Sequence, residues 1–294
     1  MLINYSDIVR MHDRSRRRAI RGRARHLALD LLSMRDVISG APELERPRVH
    51  VLYLHHVLRD EERSFLRLMA WLRQRHTIVS YSEAVRRIHE GAIDRPYVAI
   101  TFDDGMRNNL RAAELLSGEG ISACFFVCDA MAEERDPERI AEFCANELHI
   151  PPADFLSWDD MEQLLRTGHE IGNHSSRHAT LARLSAPERA DHISGSLSRL
   201  RSRLGNGVEH FAWPRGRFMH FSAAARDEVF RAGHTSCASA ERGAHVVGQP
   251  RRELLCIRRD QIIAAWPLRH ARYFIARGSR GATPAMNSWP PEWT

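Results

Sequence analysis

The sequence of 294 residues contains no lysine, so all 43 of its Lys/Arg-type side chains are arginines. It has no apolar run long enough to cross a membrane, and its first residues lack the charged-then-apolar pattern of a secretion signal. Its five cysteines are odd in number and show no spacing typical of a disulfide framework. These absences argue against a membrane-spanning or disulfide-stapled protein. The expected location is the cytoplasm, with peripheral membrane contact as an alternative.

The charge that is present is unevenly distributed. The formal net charge is +6, and much of the excess lies in DRSRRRAIRGRARH, residues 13–26. Such a run is either a solvated leader or a contact for anionic lipid headgroups or nucleic acid. No zinc-finger spacing, aromatic RNA-binding motif or helix-turn-helix pattern accompanies it, so nucleic acid is not an expected partner. The sequence does not indicate an oligomeric state.

Three parts of the chain differ in pattern. Residues 1–45 predict a basic helical leader, and residues 279–294 predict a loose C-terminal tail. Between them, in residues 46–278, short β-rich apolar runs alternate with amphipathic helical stretches; the last predicted strand is RRELLCIRR, residues 251–259. Repeated strand–helix alternation implies an α/β fold of parallel strands with helices packed outside, as a barrel or an open sheet.

Two polar motifs follow predicted strands. TFDDG, residues 101–105, places Asp103 and Asp104 at the end of the most apolar strand. GHEIGNHSSRHATL, residues 168–181, holds His174 and His178 after a later strand. Because the carboxyl ends of parallel strands meet at one edge of such a fold, we expect these side chains to collect there.

Each motif alone has a plain structural explanation. An Asp-Asp-Gly turn often caps the following helix, and two histidines four residues apart often lie on a solvated helix face. Together the two motifs indicate a catalytic metal site. One carboxylate and two imidazoles make a facial metal site, and a second carboxylate can act as a general base. Adjacent strand residues point in opposite directions, so both aspartates can serve one site only if the backbone is distorted, with help from Gly105. Zinc suits this donor set first; Co²⁺, Ni²⁺ or Mn²⁺ could substitute.

TFDDG and HSSRH, together with the run SWDDMEQLLRTGHEIGNH before the second motif, resemble the polysaccharide deacetylases, the nodulation-type deacetylases of carbohydrate esterase family four. The resemblance covers roughly residues 49–260. It implies an irregular (β/α) barrel of about seven parallel strands. It also implies hydrolysis of an N-acetyl group, or of an O-acetyl or N-formyl group, from a sugar.

The resemblance also assigns residues. Asp103 corresponds to the general base, and Asp104, His174 and His178 to the metal ligands. The segment LHHV, residues 54–57, is similar to a first-strand motif of the family and places His55 near the pocket, although a core histidine is an equal alternative.

The third motif departs from the family pattern. In HFAWPRGRF, residues 210–218, Ala212 stands where an arginine usually orients the base. The resemblance implies that Trp213 and Pro214 line the sugar pocket and that the backbone N–H of Arg215 helps to hold the oxyanion.

Two roles have no clean equivalent in the motifs. The missing arginine is replaced by Arg258 or Arg259, unless these are solvated charges. The catalytic acid is His234, less plausibly His270, or Asp103 itself acting through water.

We therefore expect a metal-dependent deacetylase acting on an N-acylated sugar that is free, nucleotide-linked or lipid-linked. A catalytically weak, glycan-binding pseudo-enzyme on the same fold is the alternative. An adaptor that uses the basic leader to contact nucleic acid or a membrane surface is a third hypothesis.

Overall fold

A computed structural model describes residues 2–12, 24, 27–34, 36, 41–248 and 255–293 of the chain. Most of the arginine-rich segment that predicts the basic leader lies outside the described residues. Within them, no helix combines the length and the apolar character needed to span a bilayer.

Eight parallel strands form the centre of the fold. Along the sheet their order is β7-β6-β5-β4-β3-β1-β8, and the short β2 pairs with β3 beside this path. The strands are β1 (Arg48–Leu54), β2 (Thr77–Ile78), β3 (Pro96–Phe102), β4 (Ala123–Val127), β5 (Glu170–Asn173), β6 (His210–Ala212), β7 (Ser236–Ala238) and β8 (Asp260–Gln261).

One segment joins the two ends of the sheet. Ile257 forms a parallel bridge with Ala238 of β7, and three residues later Asp260 pairs with Leu52 of β1. The sheet therefore curves into an irregular (β/α) barrel, as the sequence predicts, and residues 258 and 259 lie at its closure.

Helices surround the barrel and follow its strands in alternation. Between α7 and α8 lies the π-helical turn Asp191–Gly195, and residues 27–34 are also helical. The helices are α1 (Tyr5–His12), α2 (Glu62–Arg75), α3 (Tyr81–Glu90), α4 (Asn109–Gly118), α5 (Pro137–Phe143), α6 (Trp158–Arg166), α7 (Ala186–Ala190), α8 (Ser196–Leu204), α9 (Ala223–Arg231) and α10 (Leu268–Arg280).

The strands are buried on both faces. Alternate residues such as Leu52, Ile100 and Phe102 join the outer core against the helices. Residues one position away, such as Val51 and Ala99, join the inner core of the barrel. This explains why the strands read as continuous apolar runs, since both faces of a parallel sheet are covered.

Local signals place several helices where the sequence predicts them. Ser157 caps α6 in a capping box with Asp160. Gly91 ends α3 with φ of 69°, a left-handed conformation that glycine adopts without steric cost.

The last predicted strand requires correction. Residues 251–254 lie outside the described part of the chain. Leu255 and Ile257 make only isolated bridges, and the regular strand is Asp260–Gln261. Because the bridge of Leu255 is antiparallel to Ser288, whereas that of Ile257 is parallel to Ala238, no single straight strand serves both partners.

The C-terminal tail packs against the barrel, contrary to the prediction of a loose tail. Residues 284–287 and 291–293 form short 3-10 helices. Trp289 is 1% exposed and joins an aromatic cluster with Trp213 and Phe221. At the other terminus, Leu2 and Ile8 are buried in a cluster with Met106 and Phe155.

Candidate active site

The carboxyl ends of the strands surround a cavity of about 510 Å³. The cavity is lined by four polar side chains from the sequence motifs and, on another side, by apolar side chains. The motif residues are Asp103, Asp104, His174 and His178. The apolar wall comprises Ile8, Met106, Leu148, Ile150, Ile262 and Ile263.

A backbone distortion brings both aspartates to this cavity. Asp103 continues the β3 strand, since its N–H donates to the carbonyl of Leu54 at 2.9 Å. Asp104 and Gly105 then adopt φ values of 73° and 71°. This left-handed turn redirects the Asp104 side chain, which would otherwise point away from that of Asp103. The distortion that the sequence requires is therefore present, and it includes the aspartate as well as the glycine.

The histidine loop is held by main-chain carbonyl oxygens of the two neighbouring strands. The backbone N–H of His174 donates to the carbonyl oxygen of Val127 at 2.9 Å. The Nδ1 atom of His174 lies 2.7 Å from the carbonyl oxygen of Ala212. As the donor to that carbonyl, Nδ1 carries the proton, so Nε2 has a free lone pair. Ser175 and His178 adopt positive φ values of 65° and 54°, a bend that presents both imidazoles on one side of the loop.

The ligand atoms of Asp104, His174 and His178 all lie within 4.8 Å of one another. Asp104 Oδ1 is 3.4 Å from Nε2 of each histidine, which is long for a hydrogen bond. This oxygen is buried and has no hydrogen-bond partner. A separation of 3.4 Å suits two ligand atoms that each lie ~2.1 Å from one tetrahedral ion. The donor set and its spacing therefore fit a divalent metal ion such as zinc.

The pKa shifts of two of the three candidate ligands, Asp104 and His178, suit metal binding. Burial alone would raise the pKa of Asp104, but the contact with His174 and the charges of His178 and His55 hold it below its usual range. Burial lowers the pKa of His178 to about 4, against the opposing effect of Asp104. At neutral pH Asp104 is therefore an ionised carboxylate and His178 a neutral imidazole, the forms that bind metal. Burial would lower the pKa of His174, but the charge of Asp103 and the contact with Asp104 raise it above its usual range.

Asp103 is held by an arginine from the barrel closure. Arg259 Nη1 and Nη2 donate to the two carboxylate oxygens of Asp103 at 2.7 and 2.8 Å. The guanidinium is fully buried, lies 4.7 Å from the ring centroid of Tyr53, and also donates to the carbonyl of Ser239. The paired fork fixes the carboxylate plane as well as its charge.

Of the two arginines named from the sequence, Arg259 contacts Asp103 and Arg258 does not. Arg258 donates to the main-chain carbonyls of Met286 and Arg242, outside the cavity. The assignment of the base-orienting role to Arg258 therefore requires correction. Alternation explains the difference, because Arg259 lies two residues after Ile257 of the inner core and shares its side of the chain.

His234 also lies apart from the cavity lining. Its Nδ1 faces the carbonyl of Val229 at 2.9 Å, and its Nε2 lies 3.3 Å from the Asn173 amide. Burial lowers its pKa to about 4, so it is neutral at physiological pH. Its position under α9 does not support the expected role of catalytic acid.

Of the three residues predicted from the third motif, only Arg215 lines the cavity. Trp213 is fully buried and stacks on Phe221 at 4.5 Å, so it supports the loop and does not line the cavity. Pro214 is likewise buried and is not a lining residue. Arg215 does line the cavity; it has φ of 64°, and its side chain pairs with Glu147 at 2.9 Å.

Two adjacent histidines that follow β1 also line the cavity. His55, as expected, is a lining residue, and burial lowers its pKa. His56 lies beside it, and its Nδ1 is 2.8 Å from the buried carboxylate of Glu61. No motif of the sequence predicts a role for His56; a carboxylate five residues later, Glu61, is the one signal that could have pointed to it.

The N-terminal helix supplies cavity residues that sequence reasoning missed. Tyr5 and Ile8 line the cavity, and the ring of Tyr5 lies 6.0 Å from that of His56. The N-terminal leader has no strand–helix pattern, so its sequence does not indicate that its residues lie at the cavity.

Comparison with known proteins agrees with this site. The family model of the polysaccharide deacetylases matches residues 90–236, which is half of the chain and includes both motifs. Among curated proteins, none matches the sequence.

Several solved structures share the fold. IcaB from Ammonifex degensii is 19% identical, with a TM-score of 0.63 over 81% of this chain and 99% of that one. The de-N-acetylase from Aggregatibacter actinomycetemcomitans is 17% identical, with a TM-score of 0.62 over 77% of this chain and 99% of that one. The Streptococcus pyogenes deacetylase PplD is 15% identical, with a TM-score of 0.60 over 83% of this chain and 100% of that one. At these identities the likeness concerns the fold.

Proposed function

Because this chain belongs to the polysaccharide deacetylase family, we propose that it is a metal-dependent hydrolase that removes an N-acetyl group from an amino sugar. The observation that carries the proposal is the cluster of Asp104, His174 and His178 beside the arginine-bound Asp103, all in one cavity. N-formyl and O-acetyl groups are related substrates that the same chemistry would accept.

Asp104, His174 and His178 would hold the metal ion. A divalent ion at this position would act as a Lewis acid toward the acyl oxygen and would lower the pKa of a water molecule. Zinc is the first ion to test, followed by Co²⁺, Ni²⁺ and Mn²⁺.

Asp103 would act as the general base. Its carboxylate accepts the proton of the attacking water while the water oxygen forms a bond to the acyl carbon. Arg259 fixes the plane of this carboxylate, because both carboxylate oxygens accept a hydrogen bond from the guanidinium. The charge that develops on the acyl oxygen would be stabilised in part by the backbone N–H of Arg215 at the cavity edge.

The C–N bond breaks when the leaving amine is protonated. Two histidines of the cavity, His55 and His56, are candidates for the donor, in place of His234. His56 has the better support, since Glu61 faces one of its ring nitrogens and would stabilise the imidazolium that a proton donor needs. Alternatively, Asp103 returns the proton that it took from the water.

The test is a screen of N-acetylated and N-formylated sugars, each presented free, nucleotide-linked and lipid-linked. The enzyme is loaded with Zn²⁺, and release of acetate or formate is measured together with the free amine. Acetate and amine in equal amounts support an amidase, whereas acetate without amine indicates an O-deacetylase. Tight sugar binding with no release from any compound would favour the glycan-binding pseudo-enzyme.

A further inference from the structure

The histidine loop, residues 174–178, has a strained backbone between the two candidate metal ligands. Ser175 and His178 adopt φ values of 65° and 54°, in a region that residues with a Cβ atom rarely occupy. Such conformations persist only where the surrounding structure enforces them. The contacts that enforce this one come from residues that do not line the cavity.

Asn173, the last residue of β5, is fully buried and controls the first bend. Its Oδ1 accepts the backbone N–H of Ser175 at 2.9 Å. Its Nδ2 donates to the carbonyl oxygen of Ile193 at 3.2 Å and lies 3.3 Å from Nε2 of His234. Because Nδ1 of His234 donates its proton to the carbonyl of Val229, Nε2 is left as an acceptor. These two acceptors hold the amide nitrogen in place, so the amide oxygen is directed to Ser175.

A second group of contacts connects the loop to Asp129, which follows β4 and whose side chain is 2% exposed. Its Oδ1 lies 2.5 Å from the hydroxyl of Ser196, and that hydroxyl is also 2.9 Å from Oδ1 of Asn173. Its Oδ2 accepts a hydrogen bond from Nε of Arg199 at 2.5 Å, and Nη2 of Arg199 donates to the Ser176 hydroxyl at 3.0 Å. Asp129 thus fixes the two α8 side chains that contact residues 173 and 176.

The helix that carries these side chains is irregular at this point. The π-helical turn Asp191–Gly195 lies directly before α8, and such turns are frequent at functional sites. The carbonyl of Ile193, within the turn, and the hydroxyl of Ser196, directly after it, both contact Asn173. The turn therefore presents two polar groups to one buried amide.

We propose that a network of five residues positions the two metal-binding imidazoles by holding the backbone between them. The network consists of Asn173, His234, Asp129, Ser196 and Arg199. This inference rests on the proposed metal site, and it gives His234 a role other than proton donation. Loss of contacts that orient metal ligands typically costs ~10–100-fold in metal affinity.

The alternative is that the network only attaches α8 to the barrel. Its loss would then destabilise the fold but would leave the metal site of the folded molecules unchanged. The affinity for metal and the spectrum of the bound metal distinguish the two roles, whereas the melting temperature alone does not.

The experiment is a titration of the metal-free full chain with Zn²⁺, together with the visible absorption spectrum of the Co²⁺-loaded protein. Neither measurement needs a sugar substrate. Asn173→Ala removes the acceptor of the Ser175 N–H, and Ser196→Ala/Arg199→Gln removes both α8 side-chain contacts. Each variant should raise the Kd for Zn²⁺ ~10-fold or more. Each should also change the Co²⁺ absorption bands, which depend on the geometry of the ligands.

The matched control is another buried carboxylate that is held by a serine and an arginine. Asp160 accepts a hydrogen bond from Nε of Arg107 at 3.2 Å, and its backbone N–H donates to the Ser157 hydroxyl at 3.2 Å. Within the described part of the chain, these three residues make no hydrogen bond to residues 173–178. Ser157→Ala/Arg107→Gln should therefore keep the wild-type Kd and Co²⁺ spectrum even if its melting temperature is lower.

His234 is tested in the same way. His234→Leu removes an acceptor of the Asn173 amide and should also raise the Kd for Zn²⁺. A catalytic acid would instead lower kcat at saturating Zn²⁺ and leave the Kd unchanged. An unchanged Kd in His234→Leu would exclude His234 from the network.

A lower melting temperature of the network variants with an unchanged Kd and Co²⁺ spectrum would overturn the proposal. An equal loss of affinity in Ser157→Ala/Arg107→Gln would overturn it as well. If Asn173→Ala does not fold, Ser196→Ala/Arg199→Gln decides, because it leaves the buried amide in place. Failure of the wild type to bind Zn²⁺ would instead reject the proposed metal site, and with it the inference.

Discussion

Arg259 and Asp103 form a fully paired, buried ion pair, in which both guanidinium Nη atoms donate to the two carboxylate oxygens at 2.7 and 2.8 Å. The two residues are 156 positions apart in sequence. They meet because Asp103 extends β3, whereas Arg259 lies where the chain closes the barrel between β7 and β1. The barrel closure thus supplies the arginine that is absent from position 212.

The first prediction concerns this arginine and its neighbour. Arg259→Gln should lower kcat ~10²-fold or more, because the Asp103 carboxylate loses its orientation. It should also destabilise the fold by ~3–5 kcal/mol, since a buried charge is left unpaired. Arg258→Gln is the matched control and should change stability by less than ~1 kcal/mol with near-normal turnover.

If Arg259→Gln is too unstable to assay, Arg259→Lys keeps the charge without the paired fork. It should fold and should still turn over slowly, because a lysine cannot reproduce the two parallel hydrogen bonds. Normal turnover of Arg259→Lys would contradict a positioning role.

The second prediction separates the base from the metal ligands. Asp103→Asn should retain metal and substrate binding and lose ~10²-fold or more in rate, as expected for a lost general base. A helix-capping role predicts instead a loss of ~1 kcal/mol in stability with activity kept. Metal content, melting temperature and turnover on the same sample distinguish the two, and near-wild-type turnover would reject the general base.

The third prediction uses metal binding as a stability probe. Zn²⁺ at ~100 times its Kd should raise the free energy of unfolding by ~2.7 kcal/mol in the wild type. His178→Ala should abolish most of that gain. His149→Asn, at an exposed histidine outside the cluster, should retain it. An equal gain in all three proteins would place the zinc elsewhere.

The fourth prediction concerns the proton donor. His56→Gln and Glu61→Gln should each lower kcat more than they raise KM. Neither exchange removes a metal ligand, so substrate binding should change less than the rate of the chemical step. The alkaline limb of the pH profile should change in both variants if His56 donates the proton, because a general acid acts only in its protonated form. Variants with unchanged kcat would leave His55 or Asp103 as the donor.

The fifth prediction concerns acid stability. Burial is the main cause that lowers the pKa of His210 to about 3, whereas an unfolded histidine titrates near ~6.5. Its neutral form therefore stabilises the fold fully above pH ~6.5, and this contribution is lost as the pH falls toward about 3. The free energy of unfolding should decrease by up to ~1.4 kcal/mol per pH unit for this one group.

The comparison is between His210→Asn and the exposed-site control His149→Asn. His210 lies between the hydroxyls of Ser82 and Ser236, so its replacement should cost stability at pH 7 but should flatten the slope between pH 4.5 and 6. The same slope in both variants would show that other groups cause the acid sensitivity.

The sequence predicts the parts of the site that are local. TFDDG and HSSRH identify the carboxylates and imidazoles, and strand–helix alternation brings the ends of their strands together. The requirement for a distorted turn after Asp103 also follows from the pleat of a strand, and the φ of Asp104 confirms it.

The parts that depend on closure and on the termini could not be predicted with the same precision. The choice between Arg258 and Arg259 depends on which side of an irregular segment faces the barrel, and that side is set by the bridge of Ile257 to Ala238. The motif predicts Trp213 as a pocket residue, yet it is buried away from the cavity, where it stacks on Phe221 and contacts Trp289 of the distant tail. Such long-range packing has no periodic signal in the sequence.

The most direct test of the account is acetate release measured against metal content. Chelator-stripped enzyme is reloaded with increasing amounts of Zn²⁺, and acetate and free amine are measured on the best N-acetylated sugar of the screen. We expect activity to rise in proportion to bound metal up to one ion per chain and to be absent in Asp104→Ala at every zinc concentration. Full activity of the stripped enzyme, or undiminished activity of Asp104→Ala, would contradict a hydrolase built on Asp104, His174 and His178.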